Sequence, residues 1–459
     1  MIYDYIVVGS GSGGGSLSYY LNKSGAKVLL IEAGKFYRKN TFPKTEAETS
    51  AHLYWGGGIE FDKAGRIGFL RTKMVGGSSI VYQCLMDRFD DNAFDAWRDE
   101  SGVDWFNNAE MDKHYSQVES DMVLHTFTPE ERNGNAKLFV EACDKLGYKW
   151  GNLRRGQSDC GREDGNDCIG CLGGCFRDSK QSSLVAFIQK AEKEGLEIIT
   201  ETEINQVEPN KDTCKIHGLQ NGNKVSFEGK KVILCGGAFG TTRMMMMSGY
   251  KSKLPALGNN FASHPQFMWL GFQNEPVDAH KGMFQSVASK DPSFRAQGFK
   301  LENVFAPPIS IGMLMNVTGS EHQRLMKQYR HIQCIEVAVR DENAGVIKCD
   351  NKGKMTVEKT LTDQDKSRRD KGLQVIENIL TTSGAKEICK SNFPVGLHLM
   401  GGCVMGVDAS KSVVNPEFQV HGEQTLYIAD SSIYPNAPGI NPGLTIKSLG
   451  HRLAMQLLK

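Results

Sequence analysis

The chain has no window approaching the roughly 18 consecutive apolar residues that a membrane-spanning helix requires, so no span is expected. Charge of one sign is also missing: 54 Lys and Arg stand against 53 Asp and Glu, a formal charge of +1. That balance offers no field for nucleic acid or an anionic bilayer and leaves a small, weakly charged partner as the expectation. No internal repeat and no low-complexity tract occurs, which sets aside solenoids and flexible arrays. The first residues run into an apolar stretch, Tyr5-Ile6-Val7-Val8, in place of a basic segment followed by a cleavable apolar region. A cytoplasmic location is therefore expected, with export in the folded state by a signal-bearing partner subunit as the alternative. Twelve cysteines without such a signal argue for reduced thiols or metal ligands over a disulfide framework.

What is present suits a large two-part enzyme. At 459 residues the chain exceeds the roughly 250–300 at which single cores stop growing, and 40% hydrophobic with 23% charged residues is a soluble globular composition. Its 50 glycines cluster in GSGSGGG, WGGG, GGSS, CGGAFG and MGG, runs in which backbone can approach an extended ligand. Residues 3–8 read as a buried strand, Gly9 to Gly15 as a turn, Ser16 to Lys23 as a helix and KVLLIE as a second strand ending at Glu32. In this βαβ unit Gly9 makes the tight turn, Gly11 lets the chain approach a pyrophosphate and Gly14 lets helix pack on strand. Glu32 is placed to bond a ribose hydroxyl, which favours FAD or NAD over NADP.

Farther along, Trp97 to Leu124 read as partly helical, 184–200 as a helix followed by the strand LEIIT, and KKVILCGG as a strand running into AFGTTRMMMMSG. Met244 to Met247 suit a buried helix better than a ligand box. From about 265 to 391 strands dominate (Phe267 to Phe272, Cys334 to Val339, Val346 to Cys349, Met355 to Val357), with one charged helix near 363–384 whose outer face is solvated. The last seventy or so residues return to the first style, with a strand Leu426 to Ala429, then Asp430 and a closing helix.

Near that end His398 lies in FPVGLHLMGGCVMG and Asn441 in NAPGINPGLTIKS. Each has an ordinary reading: a satisfied core histidine, and a helix N-cap followed by proline at the first helical position. Together they also suit alcohol oxidation, in which an imidazole takes the hydroxyl proton while an amide bonds the substrate oxygen. Residues 160–175 read CGREDGNDCIGCLGGC, so Cys160, Cys168, Cys171 and Cys175 share one Gly-rich loop. Such compact spacing suits an iron–sulfur cluster, [3Fe–4S] or [4Fe–4S], over structural zinc, which usually joins two separated ligand pairs; disulfides or idle thiols are the remaining reading.

The GxGxxG with Glu32, GGSS at Gly76 to Ser79, GAFGTTRMMMMSG at Gly237 to Gly249 followed by LGNNFASHP, and the C-terminal His398 with Asn441 come in an order that resembles the glucose–methanol–choline (GMC) family of flavoprotein oxidoreductases. The resemblance spans nearly the whole chain. It implies an α/β fold in which a discontinuous Rossmann-like FAD-binding domain (1–155, 181–264 and 392–459) is interrupted by a Cys-rich insert (156–180) and by a substrate domain on a mainly antiparallel sheet (265–391). It implies FAD, with Gly9, Gly11, Gly14, Glu32, Gly76, Gly77, Ser78, Ser79, Tyr82, Ile204, Asp430, Ser431, Asn441 and Pro442 as cofactor-binding candidates. Catalysis falls to His398 and Asn441, oxidising a CH–OH group of a sugar, polyol or other alcohol by proton abstraction and hydride transfer to flavin N5. Tyr82 departs from the family, whose usual residue there is asparagine. Some bacterial dehydrogenases similar to this family carry a cluster near the same region, which implies that electrons pass through iron–sulfur to a protein or quinone acceptor, or to a small partner subunit. An oxidase using O2, a non-redox FAD lyase and an FAD-bearing scaffold subunit are the alternatives.

Overall fold

Short apolar runs that are buried on both faces build parallel sheets, because helices must then cover each side. The computed structural model describes residues 2–160, 168–342 and 345–459, and of Cys168 the backbone alone. Strand Ile2–Val8 pairs in parallel with Val28–Ile31 on one side and with Asn223–Leu234 on the other. Val28–Ile31 continues in parallel to Glu197–Ile199, and Leu426–Ile428 lies parallel beyond Asn223–Leu234, so both ends of the chain share one sheet. Ile6, Val7, Leu29, Leu30, Ile31, Val232 and Ile233 within it are fully buried.

This sheet is mixed, because Asn223–Leu234 is long enough to change partners. Its second half faces Ile2–Val8, while its first half runs antiparallel to Cys214–Gln220, which pairs antiparallel with Thr202–Pro209. The polar, half-exposed NKVSFEG that opens the long strand hides this hairpin from a reading of apolar runs, which expects a strand only from Lys230.

The first helix, Ser12–Lys23, begins ahead of the expected Ser16 and takes in three consecutive glycines. Packing overrides their low helix propensity. A Cβ on Gly13 would lie 2.1 Å from the Ala429 carbonyl oxygen, one on Gly14 1.9 Å from that of Gly9, and one on Gly15 2.0 Å from Ser183 Oγ. The closing helix Gly443–Leu457 crosses it where a Cβ on Gly450 would stand 2.6 Å from Ser16 Oγ and 2.8 Å from the Gly13 carbonyl.

The second sheet runs in the order Glu60–Phe61, Gly68–Phe69, Val395–Met400, Ala262–Phe272, Ile332–Val339, Phe299–Asn303, Val287–Ser289, Trp150–Asn152, with Glu387–Lys390 also on Ala262–Phe272. Val395–Met400 and Gly68–Phe69 run parallel, and the other pairings described in this sheet are antiparallel. Four of its strands come from outside 265–391, among them the one that carries His398. Helix Asp363–Thr382 covers this sheet, burying Leu373, Ile376, Ile379 and Leu380 with Phe267, Leu301, Ile335 and Val337.

Gly14→Val places a branched side chain where a single Cβ already overlaps the Gly9 carbonyl. We expect it to lower stability by at least about 1–3 kcal/mol, read as an earlier midpoint in urea unfolding; an unchanged midpoint contradicts the packing of Ser12–Lys23 on the first sheet.

Candidate active site

A cavity of about 1180 Å³ is walled by both sheets, with Gly9, Gly11 and Glu32 contributed by the first and Leu397 and His398 by the second. It exceeds the roughly 300–1,000 Å³ of a typical small-molecule pocket. Gly9 has φ 103°, and a Cβ there would overlap the Cys235 carbonyl at 2.3 Å, so the tight turn admits only glycine. A Cβ on Gly11 meets nothing within 4 Å, leaving its backbone open to close approach. Helix Ser12–Lys23 starts there with no side chain capping it, and uncapped N–H groups at a helix start favour an anion such as a pyrophosphate.

Glu32 lies at the end of Val28–Ile31 with 8% exposure. Its carboxylate accepts from Ser10 N (3.0 Å), Ser10 Oγ (2.6 Å) and Gly34 N (2.9 Å), while burial pushes its pKa up against these bonds. Gly77, Ser78, Ser79, Tyr82, Ile204, Asp430, Ser431, Asn441 and Pro442 also line the cavity. Gly14 and Gly76 support it from behind, Gly76 N donating to Ser10 Oγ at 3.0 Å. Asp430 accepts from Gly237 N (2.8 Å), Thr241 Oγ1 (2.5 Å) and Ser432 N (2.7 Å), and burial raises its pKa. Three buried polar atoms on the wall, Thr72 Oγ1, Gln83 Oε1 and Gln266 Oε1, have no partner among the described residues. The open glycine turn, the acid at the strand end and these unmatched atoms fit FAD.

His398 owes its position to a β-bulge. Ala262 pairs with Met400 but His264 with Leu397, so two residues of one strand oppose one of the other, and His398 takes φ 58°. A left-handed conformation at a non-glycine residue costs about 1–3 kcal/mol and re-aims its side chain. His398 Nδ1 lies 2.9 Å from His264 Nδ1, and His264 Nε2 accepts from Gly439 N at 2.9 Å. Burial, with Lys300 adding to it, pushes the His398 pKa down to about 4, and burial followed by His398 pushes His264 well below the ordinary histidine value. Both rings are neutral at neutral pH.

Asn441 is not the N-cap that its sequence suggests. Pro442 takes that position, and the Asn441 side chain turns away, donating from Nδ2 to Asp87 Oδ2 and Glu302 Oε1, each at 3.2 Å. These carboxylates belong to a buried network that the sequence reading missed. Lys300 Nζ bridges Asp87 Oδ2 (3.2 Å) and Glu302 Oε1 (2.5 Å), and Gln285 Nε2 donates to Glu302 Oε2. Glu336 lies beside Glu302, and burial followed by that neighbour raises its pKa well above the carboxylate range. Burial opposes the charge on Lys300, but Asp87 and Glu302 outweigh it and raise its pKa. Gln285, Glu302, Glu336 and Gln266 line the cavity with His398 and Asn441. The signal available was a charged residue at an inward position of a largely apolar strand, Glu336 in IQCIEVAV.

Tyr82 fills its place as a bridge to the closing helix. Its hydroxyl accepts from Lys447 Nζ at 2.8 Å, and burial lowers the Lys447 pKa to about 8. The cysteine loop is adjacent: Lys180 Nζ donates to the carbonyls of Cys171 (2.6 Å) and Tyr82 (3.2 Å), and Ile169, Leu172 and Phe176 reach the cavity wall. A hydrogen bond from the Cys175 thiol, aided by Lys180 and Arg155, pushes the Cys171 pKa well below the ordinary thiol value. Cys160 Sγ instead meets Ser179 Oγ at 3.0 Å, and no disulfide joins these three. The Cys168 side chain lies outside the described residues, and among those described no group of three metal-ligating side chains gathers.

Among the described residues no helix is long and apolar enough to cross a membrane. With 24% identity the chain is similar to a GMC-type oxidoreductase of Sinorhizobium fredii (98% of this chain, 94% of that one) and to a long-chain-alcohol oxidase of Arabidopsis thaliana (99% and 68%). It is 22% identical to a cholesterol oxidase of Acinetobacter baumannii, over 98% of this chain and 93% of that one. Its fold matches the crystal structure of a pyridoxine 4-oxidase from "Mesorbium loti" with a TM-score of 0.78 at 15% identity, covering 99% of both chains. An Aspergillus oryzae formate oxidase matches with 0.75 at 14% identity, covering 99% of this chain and 98% of that one. The N-terminal GMC oxidoreductase model matches residues 4–266 and the C-terminal one residues 315–450. The two models together match most of the chain, and the chain belongs to the GMC oxidoreductase family.

Proposed function

We propose that this protein is an FAD-dependent oxidoreductase that oxidises a CH–OH group of a sugar, polyol or other alcohol. The observation that carries the reading is that His398 and Asn441, 43 positions apart by their numbering and on different elements, line the same cavity as the dinucleotide turn. Relatives named for long-chain alcohols and for cholesterol agree with an alcohol substrate. FAD would be held by the Gly9–Gly11 turn, by Glu32 at its ribose and by the Gly77–Ser79 segment, with Asp430 beside it. When bound it supplies the acceptor for a hydride leaving the substrate carbon.

The protein's own part is positioning. His398 and Asn441 grip the substrate oxygen, and the neutral imidazole takes the hydroxyl proton as the hydride leaves the carbon, while the Asn441 amide bonds the oxygen. Gln266, Gln285, Glu302 and Glu336 form a polar floor for further hydroxyl groups, while Phe305 and Leu314 keep part of the wall dry. His398→Ala should keep FAD, seen as an intact visible flavin spectrum, yet slow anaerobic flavin reduction by substrate by roughly two to four orders of magnitude in stopped flow. Unchanged reduction removes His398 from the chemistry.

The finer reading concerns the exit of electrons. We place it at an iron–sulfur cluster held by the loop of Cys160, Cys168, Cys171 and Cys175, serving a protein or quinone acceptor. Its support is the sequence spacing, the lowered pKa of Cys171 beside Cys175, Lys180 and Arg155, and the Lys180 tie to Tyr82 on the cavity wall. Iron and acid-labile sulfide should both be found in anaerobically purified or reconstituted protein. Absence of both leaves O2 as acceptor, the reading that the oxidase names of the relatives favour, and peroxide should then form in step with substrate in air.

A further inference from the structure

Lys447 is a buried amine with no anion beside it. It lies in the second turn of the closing helix with 0% exposure, and its Nζ donates to the Tyr82 hydroxyl at 2.8 Å, the Gly443 carbonyl at 3.2 Å and Ser12 Oγ at 3.4 Å. All three partners are neutral. Other buried lysines are compensated: Lys359 holds Asp341 at 2.7 Å, and Lys300 lies between Asp87 and Glu302. Among the described residues no carboxylate comes within ion-pair distance of Lys447.

Its position makes the missing counter-charge more telling. Nζ reaches the first residues of two helices, Ser12 of Ser12–Lys23 and Gly443 of Gly443–Leu457. A helix start carries partial positive charge, so a cation there is unfavourable unless an anion joins it. Ser12, Tyr82 and Gly443 all line the cavity, which puts the ammonium one layer behind the wall. Tyr82 is wedged in place, since a Cβ on Gly443 would stand 3.0 Å from its Cε2. The acids near the glycine turn are committed elsewhere, Glu32 to Ser10 and Gly34, and Asp430 to Gly237, Thr241 and Ser432.

We infer that Lys447 is the buried counter-cation of the cofactor's pyrophosphate, standing behind Ser12 at the uncapped start of the first helix. The helix N–H groups address the phosphate oxygens from the front, and the ammonium neutralises them from behind through Ser12 and Tyr82. The assignment deepens the proposed function, since it rests on FAD filling this cavity. It also makes cofactor retention depend on pH through one side chain. Burial pushes the pKa of Lys447 down to about 8, and an adjoining pyrophosphate favours its charged form and raises that value. The contribution to FAD binding is therefore fully present below about pH 8 and is lost as the pH rises through the raised, cofactor-bound value. The neighbours do not titrate in that window. Tyr82 and Cys84 are pushed up by burial, as are Tyr19 and Tyr20 on the first helix and Tyr115 on helix Asn108–Ser120. Burial lowers His114 to about 3 and His451 to about 4, while Asp121 holds Tyr20 and Glu110 holds Arg452.

The test follows FAD release from diluted holoenzyme, read as recovered flavin fluorescence between about pH 7 and 9.5. In the wild type the dissociation constant should rise above about pH 8, by up to about tenfold per pH unit. In Lys447→Met it should already be roughly ten- to a hundredfold higher at neutral pH and stay flat across the range. Lys447→Arg, whose charge does not titrate, should hold FAD at neutral pH and lose the rise. The ³¹P resonances of the bound pyrophosphate should move in Lys447→Met. A flat wild-type profile overturns the assignment, as does an unchanged rise in Lys447→Met or a ³¹P spectrum indifferent to it. If Lys447→Met fails to fold, the wild-type profile and Lys447→Arg decide. A chain that holds no FAD at any pH defeats the proposed function instead, and one that holds FAD with a flat profile defeats only the role of Lys447.

Discussion

Two helices from opposite ends of the chain meet at glycines with the small Ser16 side chain between them, and the cavity depends on that contact. Ser12–Lys23 and Gly443–Leu457 cross at Gly13 and Gly450, close enough for Ser16 Oγ to donate to the Lys447 carbonyl at 3.1 Å. The first helix begins at the Gly9–Gly11 turn and the second begins two residues after Asn441, so their crossing sets the Asn441 segment relative to that turn. Lys447 is buried by the docking, at a cost visible in its lowered pKa. Hydrogen bonds to Tyr82 and to the Gly443 carbonyl offset part of that cost.

The sheets divide the work. The first offers backbone to a cofactor through glycines and one buried acid; the second offers side chains through a bulge and a cluster of inward polar residues. The network of Asp87, Lys300 and Glu302 is a poor investment for stability, because desolvating three charges offsets much of their mutual attraction. Its effect lies in direction. It holds one amide in one orientation and leaves a floor of neutral and anionic acceptors and donors.

Features carried by local spacing were legible in the sequence. Gly9 makes the tight turn and Gly14 the close packing that their spacing implies, and Val346–Cys349 begins and ends as expected. His398 and Asn441 were legible as candidates, since each sits in a distinctive Gly- and Pro-rich context. Their surroundings were not. Asp87, His264, Gln285, Lys300, Glu302 and Glu336 come from separate segments, and nothing in an isolated strand says that its one charged residue will meet another's. The bulge at His398 was hidden for a similar reason: it exists only as a mismatch with Ala262 and His264 on the neighbouring strand.

The bond from Ser16 to Lys447 also has a meaning for the order of folding, since it joins residues 431 positions apart. Closing so long a loop must precede any return from the contact, and pairings of this kind form late. Ile2–Val8 can pair early with Val28–Ile31, waits for Asn223–Leu234, and gains its last layer when Leu426–Ile428 and the closing helix arrive. Until then the dinucleotide turn faces solvent with half its wall absent. A chain in this intermediate has the glycine turn but not the Asn441 segment or the closing helix beside it, so the cavity is completed only in that final step.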